Sequence, residues 1–269
     1  DTNTMGESIS SIIAEMTQMD PISMEDLIAM NKEWKEGHGK NTGILRSVSG
    51  TASVISSCTL IWMITRSHKG LSTTQHRLLL GLSVCDLISS LGCSTFNSMA
   101  PSDSKYRIWN VRGNEVTCDA QGFLIIFGMG GGLFYNAMLN LYFVAVVKYG
   151  KSEDYIRNKI EPFLHGVPIV VGLAMSIVGL VGNHINDGGG GICNWSAHYP
   201  PHCQGYGVGD VRDGFEIPCY RGSEGADTFL ISQMVGLLIP GVIIIASLIA
   251  IYRAIKKQEN KLTKYGVNK

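Results

Sequence analysis

Charge is what this sequence has least of. Only 16% of its 269 residues are Asp, Glu, Lys or Arg, split 22 acidic to 22 basic, and the formal net charge is zero. That balance removes the electrostatic footprint of a nucleic-acid binder, and no nucleic-acid partner is expected. Charge is also missing in long blocks. Residues 47–65, 163–182 and 229–252 carry none, 78–96 carry only Asp86, and 118–147 carry only Asp119. The usual marks of catalysis are absent too: no convincing Ser-His-Asp or Cys-His set, no His-Glu-x-x-His and no nucleotide loop. The run GMGGG at 128–132 fails as a phosphate cradle, because no strand precedes it and no Gly-Lys-Ser or Gly-Lys-Thr follows. Small residues there suit close helix packing instead. The chain is not expected to be an enzyme, to hold a metal or to carry a cofactor.

What fills the uncharged blocks is hydrophobicity without a polar stripe. A helix needs about 20 mainly apolar residues to cross the hydrocarbon core. A water-soluble amphipathic helix shows polar residues every three or four positions. The blocks meet the first condition and fail the second. The fold class is therefore all-α, a transmembrane bundle with five membrane helices at about 47–65, 78–98, 118–148, 163–182 and 229–252. Residues 1–42 read as a polar extracellular segment, 183–228 as a long outer loop with a glycine tip at 188–191, and 253–269 as a basic cytoplasmic tail or the start of a third inner loop. No apolar run follows a basic start, so the first membrane block is expected to direct its own insertion. Its eight Ser and Thr residues are tolerated in lipid because their hydroxyls bond to helix carbonyls.

Lys and Arg beside the spans orient a multi-pass chain. One side holds Arg66, Lys69 and Arg77, then Lys148, Lys151, Arg157 and Lys159, then six more from Arg253 to the end. The other nine are spread through longer loops. The N-terminus is expected outside and the tail inside, where the basic cluster anchors at anionic lipid. Cys58, Cys85 and Cys93 fall within spans, whereas Cys118, Cys193, Cys203 and Cys219 all fall on the outer side. Disulfides persist in an oxidising compartment, and four cysteines allow three pairings. Cys193, His198, His202 and Cys203 have a spacing compatible with zinc, which the oxidising side disfavours. Asn194-Trp195-Ser196 is a glycosylation sequon on that same side, which makes Asn194 the expected glycan site.

From about residue 43 onward the sequence resembles a seven-helix G-protein-coupled receptor of the rhodopsin-like or slime-mould cyclic-AMP-receptor kind. LSVCDL at 82–87 is similar to the second helix with its Leu-x-x-x-Asp element. Trp109, Gly113 and Cys118 are similar to the first outer loop leading into the third-helix cysteine, and Cys193 to that cysteine's partner. The stretch at 237–258, with Pro240 and a basic end, is similar to the fifth helix. The pattern also departs from the family. No Asp-Arg-Tyr ends the third helix, where only Lys148-Tyr149 stands in its place. SGTASV occupies the position of the first-helix Asn. The sixth and seventh helices are not in these 269 residues.

The resemblance implies roles. Cys118 bridges to Cys193, leaving Cys203 and Cys219 to close a second loop. Asp86 belongs to a water-filled polar network, often with a sodium ion. A charge at mid-bilayer costs roughly 2.5–3.5 kcal/mol unless it turns inward to partners. Ser53, Ser83, Asn136 and Asn140 are the local candidates, the two Asn being four apart on one helix face. Pro240 bends its helix beside the ligand pocket. Tyr142, Lys148, Tyr149, Arg253, Lys256 and Lys257 form the inner surface that faces lipid and a heterotrimeric G protein. The function implied is a membrane receptor that senses an unknown extracellular ligand and signals by helix rearrangement. Two other classes remain. A transporter or channel would use Asp86, Asn136 and Asn140 as a polar path, although the internal repeat common in transporters is missing. A non-signalling adhesion or structural protein would use the bridged outer loop.

Overall fold

The computed structural model describes residues 40–102, 110–187, 191–196, 221 and 226–264; of these, the side chains at 96–97, 226–230, 232–233, 235 and 262–264 are outside the description. Five helices dominate: α1 (Lys40–Arg66), α2 (Thr74–Ser94), α3 (Glu115–Val147), α4 (Glu161–Val181) and α5 (Ala226–Lys264). A single helical turn, Glu153–Tyr155, and a π-helical turn, Ile156–Ile160, lead into α4. Each of the five contains a stretch long and apolar enough to cross a membrane.

Local chemistry sets several ends. Thr73 caps α2 by accepting from the His76 N–H. Asn114 and Thr117 cap α3 reciprocally, each side chain taking the other's backbone N–H. Ser152 caps the turn before α4, and Pro162 sits at its start, where a missing N–H costs nothing. The chain leaves α4 through Asn183 at φ 54°, a left-handed position that Asn tolerates.

Three helix bounds differ from the hydropathy reading. α1 begins at Lys40, inside the segment expected to be polar and extracellular. α2 stops at Ser94, and a 3₁₀ turn, Phe96–Met99, follows. α5 runs twelve residues past the expected boundary at 252, so the basic stretch to Lys264 is helix. Residues 254–264 are mostly strong helix formers with no Gly or Pro, and helix propensity outlasts the apolar pattern there.

α1 and α2 run antiparallel, as the pairs Ser47–Ser94 and Ser53–Ser90 show, and so do α3 and α4, by Phe123–Ser176 and Phe127–Gly172. The central helix is α3, which packs on α2, α4 and α5. In its apolar stretch 61% of residues are buried, against 11% in α1 and α5. Those outer helices turn Leu45, Val48, Ile55, Trp62, Leu238, Val242, Ile245 and Leu248 outward, a continuous apolar surface that suits lipid rather than water.

Small residues make the close contacts of α3 possible. A Cβ added at Gly128 would lie 2.5 Å from both the Cys85 carbonyl oxygen and the Ser89 nitrogen of α2. One added at Gly172 of α4 would lie 3.1 Å from the Phe127 carbonyl oxygen. The glycine run at 128–132 therefore works as packing surface. The buried apolar residues form two clusters, one at each end of the bundle. Leu78, Tyr135, Met138, Ile156 and Leu164 fill one; Ala100, Cys118, Ile126, Ile185 and Cys193 fill the other.

Candidate functional site

The loop after α4 folds back over the end of α3 as a small hairpin. β1 (Ile185–Asp187) pairs antiparallel with β2 (Cys193–Trp195), with Asn186 opposite Asn194. Two covalent and polar ties hold it down. Cys118, one turn into α3, is disulfide-bonded to Cys193 with Cα atoms 5.2 Å apart. Gln121, fully buried, accepts from the Cys193 N–H (3.1 Å) and donates to the Gly92 carbonyl at the end of α2 (3.1 Å). Arg221 donates to Asp119 (2.9 Å), attaching a further point of the loop to α3. Ile185, fully buried, packs where Gly122 leaves room. In the hairpin, Asn186 Oδ1, Asn194 Oδ1 and Trp195 Nε1 are buried with no hydrogen-bond partner among the described residues. Trp195 lies with Ile185 on the face toward Gly179 of α4, and Asn186 with Asn194 on the other, so the three do not form one site.

The disulfide also removes the zinc reading, because the Cys193 sulfur is committed to Cys118. Cys203 and Cys219, like His198 and His202, lie outside the described residues, as does Trp109. Asn194 is half-buried in β2, opposite Asn186.

Asp86 is exposed on α2, with a carboxylate oxygen 3.2 Å from where a Cβ on Gly132 would lie. Its carboxylate makes no hydrogen bond among the described residues; its backbone carbonyl accepts from the Ser89 hydroxyl (3.1 Å). Its expected partners are engaged elsewhere. Ser90 donates to Ser53 (2.7 Å), and Ser83 donates to the Leu79 carbonyl of its own helix (2.9 Å). Asn140 donates to the Asn136 carbonyl (2.8 Å). Among the described residues, no hydrogen bond joins Asp86 to Ser53, Ser83, Asn136 or Asn140. The Ser83 hydroxyl takes the carbonyl four residues back in its own helix, a common local alternative to a tertiary bond. What the structure does bring together is a face: Asp86, Leu133 and Asn136 all point to the same open side of α2 and α3.

At the far end from the hairpin lies a polar cluster that sequence reading missed. Arg77 of α2 grips Glu161 of α4 with Nε and Nη2, the latter at 2.6 Å from Oε2. Thr74 Oγ1 donates to Glu161 Oε2 (2.9 Å), and the Thr74 N–H donates to Glu153. The Tyr142 hydroxyl of α3 donates to Glu153 (3.3 Å). His165 links Glu161 (3.7 Å) to the Tyr135 hydroxyl (3.2 Å). Three helices are joined here, by side chains of which the sequence reading used Arg77 as loop charge and Tyr142 as inner surface. The available signal was Glu161 itself, a carboxylate one turn before an uncharged span. Tyr142, expected on the open inner surface, is buried in this cluster instead.

Of that expected surface, Lys148, Tyr149, Arg253 and Lys257 do come together. They line a cleft of about 520 Å³ between the end of α3 and the extended end of α5. Lys256 lies on the adjoining face of α5, with its ammonium 6.0 Å from the Tyr252 ring. Pro240 is buried in α5.

No protein-family model matches the chain. No curated protein matches it by sequence. Among solved structures, the crystal structure of squid rhodopsin superposes with a TM-score of 0.61 at 14% identity, covering 84% of this chain and 58% of that one. The fold is thus a membrane-type helical bundle like that of rhodopsin, and the chain spans a little over half of that protein's length.

Proposed function

We propose that the chain forms the first five helices of a seven-helix receptor that senses an extracellular ligand and signals to a heterotrimeric G protein. The observation that carries this reading is the hairpin lid pinned to α3 by Cys118–Cys193 on top of a rhodopsin-like bundle. In this reading the lid end faces outward, and the ligand enters from that end. Ligand binding shifts a two-state bundle, and the far end meets the G protein. Asp86, Leu133 and Asn136 face the two further helices, which would complete a polar site around the carboxylate.

The test uses the full-length protein in lipid nanodiscs with purified heterotrimeric G protein. Basal uptake of a non-hydrolysable GTP analogue should exceed that of empty discs and fall on Arg253→Glu. Ion flux through protein-loaded vesicles without any nucleotide exchange would replace this reading with a transporter or channel. Neither activity would leave the adhesion reading.

A further inference from the structure

The cleft between α3 and α5 has a graded lining. Its far end is cationic: Lys148, Arg253, Lys257 and Lys261 line it, and no acidic side chain does. Its near end is apolar and shallow-walled, because Ala246, Ala250 and Ala254 repeat every four residues along one face of α5 beside Ile249 and Val147. Alanine on one stripe leaves a trough where a larger residue would leave a ridge. The order along the cleft, apolar trough and then four cations, is that of a phospholipid lying tail toward the bilayer centre and headgroup toward water. Its volume of about 520 Å³ falls in the range of roughly 300–1,000 Å³ typical of small-molecule sites.

We propose that this cleft binds one anionic phospholipid of the cytoplasmic leaflet, its chain along Ala246 and Ala250 and its phosphorylated headgroup among Lys148, Arg253 and Lys257. The leaflet rests on the orientation given under Proposed function; the site itself does not. Lipid is favoured over an acidic protein segment because the apolar half of the cleft opens on the lipid-facing surface formed by Ile245, Leu248 and Ile249. Basic pockets at the cytoplasmic ends of membrane helices are suited to phosphorylated headgroups.

The experiment counts bound lipid by native mass spectrometry on the full-length protein from phosphatidylcholine nanodiscs doped with phosphatidylinositol 4,5-bisphosphate. Both faces of a disc present the same lipid, so the result does not depend on orientation, and no signalling is read. One retained phosphoinositide per protein is expected. Arg253→Ala and Lys257→Ala should each weaken retention about fivefold, the factor for one cation at an anionic surface. Lys69→Ala and Lys159→Ala, which remove exposed cations at the same end but outside the cleft, should leave it within about twofold. Ala250→Phe keeps every charge and fills the trough, and should abolish retention. Equal loss with Lys69→Ala would mean diffuse attraction to a basic face. Full retention in Ala250→Phe would mean a headgroup held without the cleft. No retention by the unaltered protein would mean another occupant, a helix or an acidic protein segment. Each of the three overturns the proposal. Should Ala250→Phe fail to fold, the contrast between Arg253→Ala and Lys69→Ala decides alone.

Discussion

Replacing Gly128 and Gly166 by alanine separates helix propensity from helix contact. Both glycines lie inside helices, so each substitution gains up to about 1 kcal/mol of propensity. The surroundings differ. At Gly166 nothing lies within 4 Å of the added carbon. At Gly128 it would meet the Cys85 carbonyl oxygen and the Ser89 nitrogen at 2.5 Å and the Ser89 Cβ at 2.7 Å. Two of these three are backbone atoms, which cannot swing aside as a side chain end can. Relief requires α2 and α3 to separate along their longest shared contact. Overpacking of this kind costs about 1–3 kcal/mol. Because the propensity gain is common to both variants, that cost is the expected difference between them. For a chain of this size it corresponds to about 2–10 °C in Tm, read by thermal unfolding in one detergent. Gly166→Ala should match or exceed the parent, and Gly128→Ala should fall below both. Equal Tm values for the two variants would refute the close approach of α2 and α3.

Two further outcomes test the ends of the bundle. Cys118→Ser and Cys193→Ser should lower Tm equally, and the double variant should add nothing; for a loop of 75 residues the chain-entropy limit is at most about 4–5 kcal/mol. At the other end, Arg77→Ala leaves a carboxylate with 12% side-chain exposure without its cation, which should cost about 2–3 kcal/mol in denaturation measurements. Arg77→Met with Glu161→Gln should recover most of that loss, because neither charge is then stranded.

The helices were legible because lipid imposes a rule that composition obeys directly: a span of about 20 residues cannot hold many charges. Their ends were less legible. Hydropathy reports where lipid stops, whereas a helix can run on past the apolar stretch where propensity favours it, which is why Lys40 is already in α1 and Lys264 still in α5. The disulfide came from resemblance, since four cysteines alone permit three pairings. The partners of Asp86 were not legible, because whether a serine bonds within its helix, as Ser83 does, or across to a neighbour, as Ser90 does to Ser53, is decided by packing. The hairpin escaped because strands of three residues are held by Gln121 and a disulfide rather than by strand propensity. Arg77 and Glu161 are 84 positions apart, and only folding shows that they meet.

The unbroken run of α5 beyond Pro240 has a mechanical consequence. The 24 residues that follow Pro240, to Lys264, make a rod of about 36 Å. Proline removes one rung of hydrogen bonding and makes its own position the softest point of that rod. A pivot of about 10° there would carry the tip through about 6 Å, roughly one helical turn's pitch. A displacement too small to disturb the packing of the bundle is thereby magnified at its distal end.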